Sequence, residues 1–598
     1  MCGILAILMG LSLKEDDGGG DPAVAEERGS GEPSSSSSHG SSEADIVESA
    51  QWWLRSRGPD GLGLERRKVA GEEIEVVLSA SLLQVRGKRE LGRPTLSDEA
   101  GNVLAFNGEI YSGLSAGEDE NDGAALLTAL GRCEGAQVAQ VLSGLRGPWS
   151  VCYWREDAQT LWYGRDVIGR RSLLRFVNDR PDDPYVVLSS VVSVPPRESA
   201  RRAPRRKWTE VPPGIYSIDL GGGRARGGSA LARRHDWTDP IPKALASRAS
   251  ASAIPETSLG LGQEAPCDRD SSEVEAHAEA LFDLLRESVR MRCRSIFHKR
   301  PPSCEDEALP PARVAVLFSG GLDSAILAAL AGTVEPESNP IDLINVCFYD
   351  GRSPDREAAL ECLAELAEAN VSRNFRLICV NSSLEAVDAL RHTLVQLLHP
   401  AETFMDLNIG AALSIGATCR GRVLGYDGGE ESGYRVLSED YVSRAKVILM
   451  GQGADEQTGG YGRHKTKFRS GGWPALAREI EMDVERLWHR NLGRDDRCVS
   501  HQGREPRFPF LDEGVALALR AMPLPVKCDP SKPLGVGDKR VLRFLAKRYL
   551  KLDKASQRTK RAIQFGSRIA KLSNMRDFGS NRAANSASAG SVVLPELS

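Results

Sequence analysis

Residues 313–330, RVAVLFSGGLDSAILAAL, decide the fold of this chain. The run Val314–Phe318 is apolar and rich in β-branched side chains, which is typical of a buried strand in a parallel sheet. Ser319–Gly321 then predicts a turn, and Asp323–Ser324 begins an Ala- and Leu-rich run that predicts a helix. Two glycines let the backbone N–H groups face inward, and a helix start adds partial positive charge. The turn is therefore suited to hold a phosphate group, although it lacks the Lys of a Walker A loop.

The complete string S-G-G-x-D-S after an apolar strand is more specific than a glycine-rich turn. It resembles the pyrophosphate loop of the ATP pyrophosphatase superfamily, whose members adenylate a substrate and release pyrophosphate. The alternative is an ordinary strand-turn-helix, which accounts for the pattern but not for the agreement of string and context. The resemblance implies that ATP is bound by Ser319, Gly320, Gly321, Asp323 and Ser324.

The pattern around this loop predicts a doubly wound parallel sheet, because strand-like runs alternate with helical stretches. Ligands bind such sheets at the carboxyl ends of the strands, where the 319–324 turn and Gly451 both fall. The predicted strands are Val314–Phe318, Leu343–Phe348, Leu377–Val380 and Val447–Met450, and the predicted helices are Ser272–Arg294, Asp355–Ala369 and Ser383–Leu398.

The last of these strands leads into the string G-Q-G-A-D-E, residues 451–456. Its glycines permit close backbone approach, and its acidic pair suits Mg²⁺, which prefers one or two carboxylates together with phosphate oxygens. With F-P-F-L-D at 508–512 and D-K-R-V-L-R at 538–543, the string resembles the synthetase domain of glutamine-hydrolysing asparagine synthetases, and within them the branch of asparagine synthetase domain-containing proteins. The resemblance implies Mg²⁺ at Asp323 and Asp455, further ATP contacts from Val346, Gly451 and Gln452, and a Lys539 that stabilises charge on the adenylate phosphate.

The amino-terminal sequence Met1-Cys2-Gly3-Ile4 offers a second chemical site. Removal of Met1 would leave Cys2 with a thiol and a free α-amine, and that amine, with a pKa of about 8, could act as a base for the thiol. The run Ile4–Leu8 predicts a buried strand that holds this terminus. Taken alone, a Cys at this position is as consistent with a bland buried thiol.

Four later strings, at 57–60, 106–111, 121–122 and 164–166, change that balance. With Cys2 they resemble the class II glutamine amidotransferase domain, an N-terminal-nucleophile αββα fold. The resemblance implies that Asn107 and Gly108 form an oxyanion hole and that Asn107, Glu109 and Asp122 bind glutamine. Attack on the glutamine amide develops negative charge on its oxygen, so such donors are needed. Read separately, N-G is a hairpin turn and R-G-P-D is a loop.

Three positions depart from the family pattern, all on the substrate side. The family has an Arg where this chain has Ser81, with Arg86 nearby in sequence, and this Arg holds the substrate carboxylate of glutamine. It has a Glu where this chain has Gln452, and an Arg, in the segment that recognises aspartate, where this chain has Gly410. Glutamine cannot ionise and glycine cannot pair with a carboxylate, so weak or absent asparagine synthesis is predicted.

Length and composition indicate the number of domains, the kind of partner and the cellular compartment. A chain of 598 residues predicts several domains, and a net charge of −5 gives no reason to expect a nucleic-acid partner. Twelve Cys without C-x-x-C pairs fit reduced thiols in the cytoplasm, and nine His without H-E-x-x-H disfavour a protein-held zinc. No apolar run reaches membrane-spanning length, and residues 3–13 lack the preceding basic residues of a secretory signal. We therefore predict a cytoplasmic protein with no membrane partner.

The predicted domain plan is a glutaminase domain at 2–220 and a synthetase-like domain at 271–574. Residues 16–45 are a Gly-, Ser- and Glu-rich insertion predicted to be disordered, 221–270 a linker, and 575–598 a disordered tail. The oligomeric state is left open, a homodimer included.

These observations predict a two-domain, glutamine-dependent amidotransferase that uses Mg-ATP to adenylate aspartate and form asparagine. Ammonia would pass between the two sites through an internal channel. Two alternatives remain, a divergent relative with weak or no synthesis that serves as a scaffold, and an enzyme that acts on another carboxylate.

Overall fold

The computed structural model describes residues 3–15, 43–86, 92–114, 120–180, 183–192, 208–221, 229–247, 271–294, 296, 309–370, 372–428, 433–578 and 591–595. Within these ranges the strands are β1 (Gly3–Met9), β2 (Ser12–Glu15), β3 (Gly61–Lys68), β4 (Glu75–Leu82), β5 (Leu96–Ser97), β6 (Val103–Gly108), β7 (Trp149–Arg155), β8 (Thr160–Arg165), β9 (Leu174–Asn178), β10 (Tyr185–Ser189), β11 (Thr209–Glu210), β12 (Gly214–Asp219), β13 (Ser229–His235), β14 (Val314–Leu317), β15 (Ile341–Cys347), β16 (Phe375–Asn381), β17 (Arg420–Tyr426), β18 (Tyr434–Val442), β19 (Val447–Leu449) and β20 (Glu505–Arg507).

The helices in the same ranges are α1 (Glu43–Arg57), α2 (Asp122–Gly131), α3 (Gln137–Gly144), α4 (Pro240–Ala246), α5 (Ser271–Cys293), α6 (Leu322–Val334), α7 (Pro354–Ala369), α8 (Leu384–Ala389), α9 (Arg391–Leu398), α10 (Phe404–Gly416), α11 (Ala454–Gln457), α12 (Gly462–Glu485), α13 (Gly493–Ser500), α14 (Glu513–Ala521), α15 (Leu524–Lys527), α16 (Arg540–Leu550), α17 (Asp553–Ser556), α18 (Ile563–Gly566) and α19 (Ile569–Phe578).

The first domain is built on two sheets that pack face to face. One has the strand order β11-β9-β10-β1-β4-β3, and the other has the order β2-β13-β12-β8-β7-β6-β5. Alternate side chains of each strand point to opposite faces of its sheet. Ile4 and Leu78 of the first sheet therefore meet Val103 and Tyr163 of the second in one buried cluster.

Helices cover the outer faces of both sheets. Helix α1 packs on the first sheet, where Trp53 and Leu54 join Leu5 and Ile7 in a buried cluster. Helices α2 and α3 pack on the second sheet, alongside side chains such as Phe106. The layers are thus helix, sheet, sheet, helix. Assignment of this domain to the N-terminal-nucleophile class stays a prediction.

The second domain contains a seven-stranded sheet in the order β18-β17-β16-β15-β14-β19-β20. Strands β16, β15, β14, β19 and β20 are mutually parallel, which confirms a mixed α/β fold with a parallel sheet. Helices pack on both faces, since α5, α6 and α16 belong to one buried cluster and α10 belongs to another. The antiparallel strands β17 and β18 extend one edge and were not predicted.

Two boundary predictions are wrong in part. Within the predicted linker 221–270, β13 pairs with β12 and α4 follows, because Ala230 and Ala232 are buried between exposed neighbours. Within the predicted tail, α19 continues to Phe578, and the buried side chain of Leu594 joins the core beneath Thr403. Residues 16–42 of the predicted insertion lie outside the described residues, and its last three residues begin α1.

Over the ranges given above, no helix combines the length and apolarity needed to cross a membrane. The nine cysteines in the described part of the chain are free and buried.

Candidate active sites

The turn after β14 has a backbone that only glycine can form at one position. Gly320 has φ +70°, and a Cβ there would lie 2.3 Å from the backbone of Ala358. Hydroxyl groups fix the rest of the turn, since Ser319 Oγ accepts the N–H of Gly321 at 3.2 Å and Ser324 Oγ donates to the Gly321 carbonyl at 3.0 Å. Among the residues that the structure describes, no side chain caps the start of α6. The turn therefore presents a helix start to a ligand at the carboxyl edge of the sheet.

Two acidic and two basic side chains meet beside this turn, and we call them the acid–lysine cluster. Lys539 Nζ lies 2.5 Å from Asp323 Oδ2 and 2.8 Å from Asp455 Oδ1, and Lys560 Nζ lies 3.1 Å from Asp455 Oδ2. Lys539 has φ +53° and precedes α16, so a strained backbone aims its side chain at the cluster. Three separate sequence motifs are thereby brought together.

The pKa values of Asp323, Asp455 and Lys539 are shifted by burial and by the neighbouring charges. Burial raises the pKa of Asp323 against the opposing pull of Lys539. Burial acts in the same sense on Asp455, but Lys539 and Lys560 together hold the pKa of Asp455 well below its usual range. The two carboxylates raise the pKa of Lys539 despite its burial. These directions favour an ionised Asp455 and an ionised Lys539, and the cationic side chains are placed to stabilise added negative charge.

The residues present fit Mg²⁺. Asp323 Oδ1 is buried and has no hydrogen-bond partner among the described residues, so one carboxylate oxygen is available to a ligand. The described ranges hold no group of three or more His, Cys, Asp or Glu placed for a metal ion. Asp323 and Asp455 offer two carboxylates, and Mg²⁺ is usually bound by one or two carboxylates together with phosphate oxygens of a substrate.

The two acidic residues that follow β19, Asp455 and Glu456, have different partners. A Cβ on Gly451 would lie 3.1 Å from Asp323 Cβ, and one on Gly460 would lie 2.1 Å from Asp455 Oδ1, so both glycines allow close packing around the cluster. Glu456 instead accepts hydrogen bonds from Tyr461 and Asn491 at 2.6 and 3.0 Å. Asp455 belongs to the cluster and Glu456 stabilises the loop.

Gln452 is bound to helix α13. Its Nε2 donates to Asp495 Oδ2 at 2.8 Å, and Arg494 holds the other oxygen of that carboxylate at 2.9–3.0 Å. Arg494 also pairs with Asp406 at 2.7 Å. The Asp495 carboxylate therefore lies beside Gln452, the position aligned with the Glu of asparagine synthetases, but it belongs to α13 and not to the loop after β19.

A side chain at the position of Gly410 would press against the side chains of two neighbouring helices. A Cβ there would lie 2.7 Å from Leu398 Cδ2 and 3.1 Å from Cys498 Sγ. Gly410 belongs to the buried face of α10, so an Arg there would require at least the side chains of Leu398 and Cys498 to shift. Val346, predicted to touch ATP, is buried in β15, and that contact stays a prediction.

In the first domain, Cys2 lies outside the described residues, but the groups around its neighbour are described. Ser190 Oγ accepts the N–H of Ile4 at 3.1 Å and lies 3.5 Å from Asn107 Nδ2. A Cβ on Gly108 would lie 2.2 Å from the Pro148 carbonyl, so the N-G pair approaches the adjacent loop closely. The start of β1 and the predicted oxyanion donors are therefore close together.

Glu109 and Asp122 are both buried. Glu109 lies 3.2 Å from Arg507 of β20 and 4.0 Å from Arg86, and burial raises the pKa of Glu109 to about 7. Asp122 accepts the N–H of Ile110 at 3.0 Å, and burial raises the pKa of Asp122 as well. The Glu of the N-G-E string is thus held by the second domain, while Asp122 is anchored by backbone.

Ser81 lies directly opposite Gly3 in the pairing of β1 with β4. Its Oγ is buried and has no hydrogen-bond partner among the described residues. Arg86 donates to the Ile110 carbonyl at 3.0 Å, which brings its guanidinium beside the N-G-E strand. The sequence pattern alone could not place Arg86, and the structure puts it beside Glu109 and Ile110.

Buried ion pairs join the two domains, and sequence reasoning missed all of them. Asp496 accepts from Arg57 at 2.7 Å and Arg171 at 3.2 Å, so the R-G-P-D string reaches across the interface. Glu210 bridges Arg165 at 2.7 Å and Arg497 at 2.6 Å. The Arg-rich strings 494–497 and 504–507 were the available signal, but each partner lies hundreds of residues away.

Comparisons with known proteins agree with the motifs. The family model described as asparagine synthase matches residues 309–394 and 467–592. The chain is similar to asparagine synthetase domain-containing protein 1 of Bos taurus, with 32% identity over 90% of this chain and 95% of the relative. The Homo sapiens protein of that name is 30% identical over 90% and 94%. A putative glutamine-hydrolyzing asparagine synthetase of Methanocaldococcus jannaschii is 36% identical over 43% and 46%.

Proposed function

Because this chain belongs to the family of asparagine synthetase domain-containing proteins, we propose that it is an ATP-dependent amidotransferase. In this proposal the first domain releases ammonia from glutamine, and the second activates a carboxylate with ATP. Ammonia then displaces AMP from the activated carboxyl group and leaves an amide.

The observation that carries the proposal is the acid–lysine cluster beside the Ser319–Ser324 turn. The turn would hold the ATP phosphates with backbone N–H groups and the hydroxyls of Ser319 and Ser324. Asp323 and Asp455 would hold Mg²⁺, which neutralises phosphate charge when it is bound. Lys539 lies within 2.5–2.8 Å of both carboxylates, so it would stabilise charge that develops on the α-phosphate.

Substitution Asp323→Asn tests this site. It replaces one of the two proposed magnesium carboxylates with a neutral amide of the same size, a weaker ligand, so Mg-ATP affinity measured by calorimetry should fall by ~10-fold or more. The matched control is Asp342→Asn, which removes a carboxylate buried against Arg376 at the opposite end of β15. Loss of ATP affinity in the control alone, or in neither variant, would contradict the proposal.

For the first domain we propose that Cys2 is the nucleophile. Its α-amine would take the thiol proton, the sulfur would attack the amide carbon of glutamine, and Asn107 and Gly108 would donate to the resulting oxyanion. Cys2→Ala should abolish glutamine hydrolysis and leave unchanged any ammonia-dependent synthesis that the wild type shows. Cys152→Ala, a change of a thiol buried between the same two sheets, is the control. Full glutaminase activity of the Cys2→Ala protein would refute this assignment.

Two observations favour an acceptor other than aspartate, or weak synthesis from it. Gly410 carries no side chain and Gln452 donates to Asp495, so neither an Arg nor a carboxylate is offered at those two positions. Isotope exchange between ATP and pyrophosphate, measured with a panel of carboxylic acids, separates the candidates. Exchange with aspartate supports asparagine synthesis, exchange with another acid identifies a different ligase, and no exchange with any acid supports a non-enzymatic scaffold.

A further inference from the structure

A cavity of about 940 Å³ lies between the two domains, apart from both candidate active sites, and we call it the Lys527 cavity. The first domain contributes Ile168, Trp237 and the end of α4 to its wall. The second domain contributes Trp473 of α12, Leu519 of α14 and Lys527 of α15. Its volume is that of a small-molecule site, and most of its lining is apolar or aromatic.

Lys527 is the unusual member of this lining. The residue is 6% exposed, and its side-chain ammonium group makes no hydrogen bond or ion pair with the residues that the structure describes. Buried lysines are nearly always paired, since an uncompensated buried charge is costly. Burial lowers the pKa of Lys527 to about 8, which agrees with the lack of a neighbouring carboxylate.

The other charges around the cavity do not compensate for Lys527. The cationic side chains in the wall outnumber the anionic ones, and they are Arg234, Arg478, Arg520 and Lys527 against Glu481 and Glu485. Arg520 donates to backbone carbonyls of α4 and lies 4.0 Å from Glu481 Oε1, a buried oxygen without a hydrogen-bond partner among the described residues, so the wall keeps an excess of two positive charges. An anion is the charge that this wall would attract.

From this geometry we propose that the Lys527 cavity binds a small amphipathic anion, a carboxylate with an apolar body, with the Lys527 ammonium as its counter-ion. The apolar body would lie against Trp237, Trp473 and Leu519. An aliphatic or an aromatic carboxylate offers the same chemistry, and the arms of the test below distinguish them.

Such a ligand would touch elements that lead to the proposed ATP site and to the interface. Gln457, two residues after Asp455, lines the cavity and donates to the Gly453 carbonyl at 2.9 Å. Trp488 also lines it and lies under the Arg165 guanidinium of the interface, 5.6 Å from the ring centre. A ligand in the cavity would therefore contact Gln457, which is hydrogen-bonded to the loop that carries Asp455.

Direct binding tests the proposal. Decanoate and 2-naphthoate are titrated into the full-length protein by calorimetry, with decanol and 2-naphthol as the uncharged counterparts. The wild type should bind one equivalent of a carboxylate more tightly than its alcohol, and Lys527→Met should lower carboxylate affinity ~10- to 100-fold while leaving alcohol affinity unchanged. Which acid binds shows whether the body is aliphatic or aromatic. Lys547→Met, at an exposed lysine of α16, is the control.

Equal affinity for acid and alcohol, equal affinity in wild type and Lys527→Met, or no saturable binding of either acid would overturn the proposal. A second measurement does not depend on the folding of the variant. Wild-type protein is labelled with acetic anhydride at pH 8, and the acetylation of each lysine is followed by mass spectrometry. The bound carboxylate should protect Lys527 and leave Lys547 unprotected, and unchanged labelling of Lys527 at saturating carboxylate would also overturn the proposal.

Discussion

Gln452→Glu is the change that a comparison of sequences suggests for restoring a missing carboxylate, and the structure predicts that it will fail. Gln452 Nε2 donates to Asp495 Oδ2 at 2.8 Å, so the substitution replaces a donor with a second negative charge. At that distance two unit charges repel by ~6 kcal/mol in an effective dielectric of about 20. The introduced carboxyl would avoid this repulsion by keeping its proton, so its pKa rises.

Protonation sets an upper limit to the penalty. A Glu with an unfolded pKa of about 4.3 costs ~5 kcal/mol to protonate at pH 8 and only ~1 kcal/mol at pH 5. Because the pKa of the folded state is raised, the deficit is absent below the unfolded pKa and grows as the pH rises towards the folded pKa. The variant should therefore lose stability chiefly at alkaline pH.

Chemical denaturation of the full-length protein at pH 5 and pH 8 measures this effect. The urea midpoint of Gln452→Glu should fall by ~1 M or more at pH 8, with little change at pH 5. Gln452→Glu combined with Asp495→Asn restores a donor against the new carboxylate and should recover most of the loss. Asparagine formation should rise in the double variant only. Equal midpoints for wild type and Gln452→Glu at pH 8 would refute the reasoning.

Three further predictions concern stability. Asp496→Asn leaves Arg57 and Arg171 buried without their shared anion and should cost ~3–5 kcal/mol of unfolding free energy, whereas Asp440→Asn in an exposed pair should cost less than ~1 kcal/mol. Similar urea midpoints for the two variants would contradict this. Because burial raises the pKa of Glu109 to about 7, ionisation of this carboxyl lowers the stability of the wild type as the pH rises from about 4.3 to about 7, and Glu109→Gln should gain ~2 kcal/mol at pH 8 relative to pH 5.5. A gain that is independent of pH would show that the carboxyl does not titrate there. Gly320→Ala, with φ +70° and backbone 2.3 Å away, should lower the melting temperature, while Gly321→Ala, with φ −75°, should not. The prediction is refuted if the two alanine variants melt together.

The parallel sheet was predictable because its signals are local. Val314–Phe318 and Leu377–Val380 are short apolar runs bounded by turns, and each became a strand within a residue or two. Strand β13 was not predicted because only Ala230 and Ala232 mark its buried face, and an apolar residue, Leu231, occupies an exposed position between them. Such a segment has too few alternating apolar positions to be identified as a strand from sequence.

The candidate sites were predictable as motifs but not as contacts. Asp455 and Glu456 were adjacent in sequence and looked like one acidic pair, but successive residues of a helix point about 100° apart, and they face different partners. Lys560 and Asp495 belong to no motif that was recognised, and each reaches its site from a part of the chain that sequence spacing cannot relate to it. Side chains brought together only by the tertiary fold have no local signature.

Helix α13 limits how far the two halves of this protein can change separately. All eight of its residues are buried, with Arg494 and Asp495 facing the Gln452 loop and Asp496 and Arg497 facing the other domain. Even its first residue is constrained, since a Cβ on Gly493 would lie 2.1 Å from Glu210. A chimera that exchanges the amino-terminal half for that of a relative must import Asp496 and Arg497 with their partners, and those two residues are inseparable from Arg494 and Asp495. Substitutions at the α13 interface in one domain should therefore require compensating substitutions in the other domain.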